Sequence, residues 1–135
     1  MNNIEALFNP INIAVVGASN NPQKAGNVII KNLLNICYPR KVFPINKKAD
    51  EIQGLKTYKK LHEIPDKVEL VVLITPSHFI YDIVEDLSKR MEEKNDIKAI
   101  VCAAAGYAET NTKEGIAKQE VLMKTARKYG IRVMG

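Results

Sequence analysis

The chain has no tryptophan, five tyrosines, three phenylalanines, two histidines and two cysteines in 135 residues. So few aromatics, scattered rather than interleaved with basic residues, exclude the stacking platforms that bind single-stranded nucleic acid. Cys37 and Cys102 sit in apolar segments, "NICYP" and "IVCAAAG", with no second cysteine at a metal-site or redox spacing. They are expected to be buried, inert thiols, and no metal site is expected. The longest apolar runs, "LVVLIT" and "AIVCAAAG", fall far short of the roughly 20 residues of a membrane-spanning helix. "MNNIEALFNP" lacks the basic start and apolar stretch of a secretory signal, so a cytoplasmic protein with reduced thiols is expected. No G-x-G-x-x-G and no G-K-[ST] occur, which removes the dinucleotide fingerprint and the Walker loop.

Twenty basic residues against fifteen acidic ones give a net charge of +5. Such a surplus attracts a polyanion or a phosphorylated small molecule. The lysines are spread over helices and turns with no DNA-binding motif, so neither nucleic acid nor membrane is expected as a partner.

Short β-branched runs recur at Ile11 to Val16, Lys41 to Ile45, Val68 to Ile74, Ile97 to Cys102 and Ile131 to Met134. They read as buried strands. Between them, Ile30, Leu33, Leu34 and Cys37, then Ile80, Ile83, Val84, Leu87 and Met91, then Leu122, Ala126 and Tyr129 follow helical spacing. Gly130 after Arg127 and Lys128 marks a helix end. Tyr58, Leu61 and Ile64 suggest a short helix in the otherwise weak segment from Ala49 to Pro65. Apolar strands alternating with amphipathic helices predict one α/β domain: a Rossmann-like, doubly wound parallel sheet of about five strands with helices on both faces. Ligands of such sheets bind beyond the carboxyl ends of the strands.

The loops at those ends carry the candidate site. After the first strand, Gly17, Ala18, Ser19 and Asn20 lead into a helix beginning near Gly26. Small residues, side-chain donors, a helix N-terminus and Lys24 together suit an anion, although glycine and asparagine are also ordinary turn residues. After the second strand, Asn46, Lys47 and Lys48 stand where an NAD site would place a carboxylate for the ribose. Lysines there suit a ribose carrying a phosphate, as in coenzyme A or NADP, or form a solvated surface turn. After the third strand, Thr75 or Ser77 can cap a helix and Pro76 can wall the cleft. After the fourth, Ala104, Ala105 and Gly106 allow an adenine or an extended arm to lie close, or allow tight internal packing. Tyr107 and Glu109 line the mouth or face water. His78 and His62 have no nucleophile or carboxylate placed by sequence to make them catalytic, so both are read as surface residues and no catalytic residue is assigned.

Taken together, "LFNPINIAVVGASNNPQKAG", "VFPINKKADEIQGLKTY", "VVLITPSHF", "AAAGYAET" and "ARKYGIRVMG" resemble the N-terminal CoA-binding domain of the NDP-forming acyl-CoA synthetases. That family includes ADP-forming acetate-CoA ligases and the α-subunit of succinyl-CoA synthetase. The resemblance covers nearly the whole chain. It implies that Gly17, Ala18, Ser19 and Asn20 meet CoA phosphates, and that Pro22, Lys24 and Gly26 match a P-x-K-x-G pattern. It matches Ile45, Asn46, Lys47 and Lys48 to the family's V-N-P-K turn, which assigns the binding lysine to Lys48, with Lys47 replacing the usual proline. Thr75 and Pro76 match a T-P step, and Ala104, Ala105 and Gly106 match an S-A-G step without its serine.

The resemblance further implies a chain that is the N-terminal part of a longer synthetase, its partners being the remaining domains, including an ATP-grasp unit. A phosphohistidine formed there would carry the reaction, and these residues would bind coenzyme A without catalysing turnover. Two rivals share the loops: an NADP-binding oxidoreductase domain, and a stand-alone CoA-binding regulatory protein.

Overall fold

The computed structural model describes residues 3–135. In chain order its elements are α1 (Glu5–Phe8), β1 (Ile13–Val16), α2 (Ala25–Asn35), β2 (Val42–Ile45), β3 (Glu51–Ile52) and β4 (Leu55–Lys56). There follow β5 (Leu70–Leu73), α3 (Ile80–Glu93), β6 (Ala99–Cys102), α4 (Lys113–Tyr129) and β7 (Arg132–Met134). Single 3-10 turns occur at Leu61–Glu63, Ser77–Phe79 and Ala108–Thr110. Five strands form one sheet in the order β2-β1-β5-β6-β7. Every pairing in it is parallel, with Ile13 opposite Val42 on one side and Leu70 on the other.

Alternation along the strands divides the core in two, because successive side chains point to opposite faces. Ile13, Val15, Val42, Leu70 and Ala99 pack with Ala6 of α1 and Ile30 of α2. Ala14, Val16, Val71, Leu73 and Ile100 pack with Ile80, Leu87 and Met91 of α3 and with Leu122 and Ala126 of α4. Helices cover both faces, as the continuous apolar strands require. The expected C-terminal end of the last helix also holds, and its start is capped by a residue that the sequence pattern did not single out. Thr112 Oγ1 accepts from Gly115 N at 3.0 Å, and Gly130, at φ +67°, closes the C-terminus.

Other expectations need correction. The strands are shorter than the apolar runs. Residues 49–65 contain a small hairpin, β3 and β4, turning through Gln53 and Gly54 with both φ angles positive. Two-residue strands are too short to carry a readable alternation. Leu61–Glu63 forms a 3-10 turn where a short helix was expected. Helix α2 stops at Asn35, so Cys37 lies beyond it, exposed and at φ +54°, and Leu34 is exposed as well. Cys102 is half-buried, since β7 covers only part of the β6 end.

The return from β4 to β5 is secured by one buried charge. Arg90 of α3 is fully buried and donates to the carbonyls of Leu61 and Ile64, both at 2.7 Å, and of Asp66 at 2.6 Å. It also meets Asp96 Oδ2 at 2.7 Å, and that carboxylate accepts from Val68 N at 2.8 Å. A guanidinium can saturate several carbonyls in a fixed plane, which an ammonium cannot. Arg90→Met should therefore cost about 3–5 kcal/mol, because it leaves the buried Asp96 carboxylate without its counter-ion and three carbonyls without their guanidinium donor. Urea denaturation of the two proteins measures the difference.

Candidate functional site

Counted along the chain, the sheet order runs second, first, third, fourth, fifth, so the direction of winding reverses between β1 and β5. A crevice opens at such a reversal, outside the carboxyl ends of the strands. Gly17 and Thr75 meet there. Gly17 has φ +102°, and a Cβ on it would lie 2.7 Å from Thr75 N. Gly26, in the first turn of α2, packs on the same residue, and a Cβ on it would fall 2.0 Å from Gly17 O. The small residues at these two positions are thus demanded by the protein's own backbone.

The rest of the turn is held by its neighbours. Ser19 Oγ accepts from Asn21 N at 3.0 Å, Asn27 Nδ2 donates to Ser19 O at 3.0 Å, and Asn20 Nδ2 donates to Glu51 O of the hairpin at 3.0 Å. The main-chain N–H groups of Ser19 and Asn20 donate to no acceptor among the described residues. Helix α2 begins after Lys24 with no side-chain cap, and in its first turn Asn27 N donates to Lys24 O at 3.0 Å while the amides of Ala25 and Gly26 have no acceptor among the described residues. Lys24 itself is exposed.

A cleft of about 370 Å³ brings together Gly17 and Ala18 after β1, Asn46 and Lys47 after β2, and Thr75 after β5. Asn46 clamps two of these loops: its Nδ2 donates to Ala18 O at 2.9 Å, and its Oδ1 accepts from Lys48 N and Ala49 N, both at 2.8 Å. Lys47 lines the cleft and its Nζ lies 5.1 Å from the Phe79 ring centre. Lys48 is exposed outside the lining. Pro76 is exposed beside the cleft, and neither Thr75 nor Ser77 caps the following turn or helix, contrary to expectation.

Four charged residues line the cleft that the motifs did not single out: Lys59, Lys60, Asp82 and Asp86. The two lysines arrive because Tyr58 bridges the edge of β2, with Asn46 N donating to Tyr58 O and Tyr58 N to Pro44 O, both at 3.0 Å. "YKKL" is visible in the sequence, but that bridge is not. Asp86 of α3 accepts from Leu61 N at 2.7 Å, His62 N at 3.1 Å and His62 Nδ1 at 2.6 Å. His62 is therefore half-buried and docked on α3 rather than free on the surface, whereas His78 is exposed as expected.

Ala104 and Ala105 lie in a different cleft, of about 590 Å³, at the ends of β6 and β7. Gly106, at φ +98°, packs on Ser77, whose Oγ would lie 2.3 Å from an added Cβ. Tyr107 lines this second cleft together with Glu109, as one expected alternative had it, but it is only 4% exposed and belongs to the core. Its Oη is buried without a hydrogen bond of ordinary geometry, and burial, with the Cys102 thiol beside it, pushes the phenol up. Exposed Glu109 ties the loop, accepting from Gly106 N at 2.8 Å and Tyr107 N at 2.9 Å. The Gly106 amide holds its carboxyl below the usual range.

Two outcomes test this geometry. Gly26→Ala should cost about 1–3 kcal/mol, because the added methyl must displace the Gly17 carbonyl; urea midpoints measure it. A depressed folded pKa contributes stability that is present at neutral pH and lost as pH falls through the folded value. Amide exchange at Gly106 and Tyr107 should therefore accelerate only below the ordinary carboxylate range, and in Glu109→Gln it should be fast without that acid step.

Comparison with known proteins follows the same segments. The α subunit of acetate–CoA ligase [ADP-forming] I of Pyrococcus furiosus is 38% identical over 136 residues, covering 98% of this chain and 28% of that subunit. The chain thus spans only that fraction of the curated relative's length. A solved structure of the dinucleotide forming acetyl-coenzyme A synthetase 1 of Ca. Korarchaeum cryptofilum, in complex with phosphate and ADP, is 41% identical with a TM-score of 0.87. It is matched over 100% of this chain and 27% of its own. A conserved hypothetical protein from Pyrococcus furiosus is 28% identical with a TM-score of 0.67, over 93% of both chains. Residues 12–135, which include every loop of the cleft, match the CoA binding domain family, and the chain belongs to it.

Proposed function

We propose that this domain holds coenzyme A across the carboxyl end of the sheet and presents its thiol to chemistry carried by other domains or subunits of an ADP-forming acyl-CoA ligase. The observation that carries the reading is the convergence of Gly17, Ala18, Asn46, Lys47 and Thr75 on one cleft at the reversal of the sheet. Free amides at Ser19 and Asn20 and the open end of α2 supply main-chain donors for a diphosphate. Lysines at the end of β2 supply point charges for a phosphate on the ribose.

The donor set fits the ligand's chemistry. It also fits a positioning role: the cleft holds no thiol or hydroxyl paired with a base, and its histidine neighbour, His62, is engaged by Asp86. Holding a thiol at a fixed place lowers the entropic cost of its attack on an acyl group delivered from elsewhere. Membership of the CoA binding domain family supports coenzyme A over NADP as the ligand. The length of the acetate–CoA ligase α subunit relative to this chain supports further domains or subunits beyond these residues, and an ATP-grasp unit is part of the proposal as the source of the activated acyl group. No helix of the described residues is long and apolar enough to cross a membrane.

Isothermal titration tests the proposal. Coenzyme A should bind, more weakly as salt rises. Lys47→Ala should weaken binding roughly tenfold, the loss of one charge-assisted contact, and Lys48→Ala should weaken it less, since Lys48 lies outside the lining. No binding at millimolar coenzyme A, or a clear preference for NADPH, rejects the reading.

A further inference from the structure

The rim of the cleft carries more charge than its motifs account for. Lys59 and Lys60 belong to a segment that reaches the site only after the β3–β4 hairpin, yet both line it beside Lys47. Lys59 Nζ donates to Lys47 O at 3.0 Å, which holds that ammonium against the turn after β2. Its other protons remain open. On the far side the segment is pinned to α3, through Asp86 to the amides of Leu61 and His62 and through Arg90 to Leu61 O. The backbone of Lys59 and Lys60 is therefore fixed at both ends. The ordering cost on binding is thus confined to the two side chains and does not include their backbone.

None of Lys47, Lys59 and Lys60 forms an ion pair among the described residues, whereas Lys41, Lys67 and Lys128 each pair with a carboxylate. The carboxylates of the cleft stand on its α3 wall, where Asp86 is engaged by Leu61 and His62 and Asp82 is exposed. Three uncompensated cations at a concave rim focus positive potential there, and the acidic wall confines an anion to the lysine side.

Within coenzyme A, two kinds of phosphate compete for two kinds of donor. The diphosphate suits the amides of the Gly17 to Asn20 turn and the end of α2, which lie on the β1 side. The lysine rim lies one strand further out, at the end of β2, where doubly wound sites place the adenosine ribose. A monoester on that ribose carries close to two charges at neutral pH and suits ammonium groups rather than single amides.

We infer that Lys59 and Lys60 act with Lys47 as a three-lysine clamp on the ribose 3′-phosphate of coenzyme A, and so set the preference for coenzyme A over its 3′-dephospho form. The inference rests on the coenzyme A reading above. It adds two specificity-determining residues from outside the motif loops.

The test is calorimetric titration of the wild-type domain, Lys59→Ala/Lys60→Ala, and Lys94→Ala/Lys98→Ala, each with coenzyme A, 3′-dephospho-coenzyme A and NADPH. The last pair removes the same charge from a separate cleft. Wild type should prefer coenzyme A to the dephospho form. Lys59→Ala/Lys60→Ala should lose roughly tenfold or more toward coenzyme A and nothing toward the dephospho form, so that the preference collapses. Lys94→Ala/Lys98→Ala should behave as wild type, which separates a clamp from a change in net charge. Equal losses toward both ligands, or an equal loss in the control pair, overturn the clamp while leaving the coenzyme A site standing. Failure of wild type to bind coenzyme A at all overturns the site and the clamp together. Retained binding of the dephospho form shows that the variant is folded.

Discussion

One backbone contact sets the geometry of the whole carboxyl end of the sheet: the Cα of Gly26 lies against the carbonyl of Gly17. With no side chain at either position, α2 can begin directly over the end of β1, and β1 can run directly beside Thr75 at the end of β5. A methyl group at Gly26 would lie 2.0 Å from that carbonyl, far inside any permissible contact. On the proposed reading, this close approach puts the turn after β1 and the start of α2 next to each other, where both can offer amides to a diphosphate.

A second set of contacts joins the fold's stability to the shape of the site. Arg90 and Asp96 bury their charges to hold the connection between β4 and β5, and Asp86 caps the 3-10 turn of the same connection. Buried ion pairs of this kind cost desolvation and return it only when every donor finds an acceptor. Here the guanidinium reaches three carbonyls as well as the carboxylate. The result fixes a segment that contributes Leu61, Ile64 and Val68 to the core, and the same segment forms the lysine-bearing lip of the cleft.

On the function proposed above, the site's chemistry is that of holding. Its donors are main-chain amides and lysine ammonium groups, arranged around a cleft open to solvent, and its side-chain amide, Asn46, ties two loops together. Such donors suit the orientation of a phosphorylated ligand. A domain with this design gains function from what stands next to it, which agrees with a chain that covers 28% of the P. furiosus α subunit it resembles.

Local physics decided what could be read from the residues alone. Apolar runs such as "IAVV" and "LVVL" declare buried parallel strands because both their faces are covered, and a glycine after a basic turn declares the end of α4 because only a residue without a side chain adopts the left-handed cap cheaply. The loops of the Gly17 and Asn46 turns were legible for the same reason, since turn chemistry is local. What the tertiary structure alone decided was proximity. Lys59 and Lys60 reach the cleft through a single bridge between Tyr58 and Ile45, Lys48 falls outside the lining while Lys47 enters it, and Tyr107 turns into the core with its hydroxyl. Cys37, read as buried from helical spacing, is exposed because α2 ends before reaching it. Periodicity reports which face a residue shares with its neighbours in sequence; whether another element covers that face depends on contacts between segments far apart in the chain, and no local pattern encodes them.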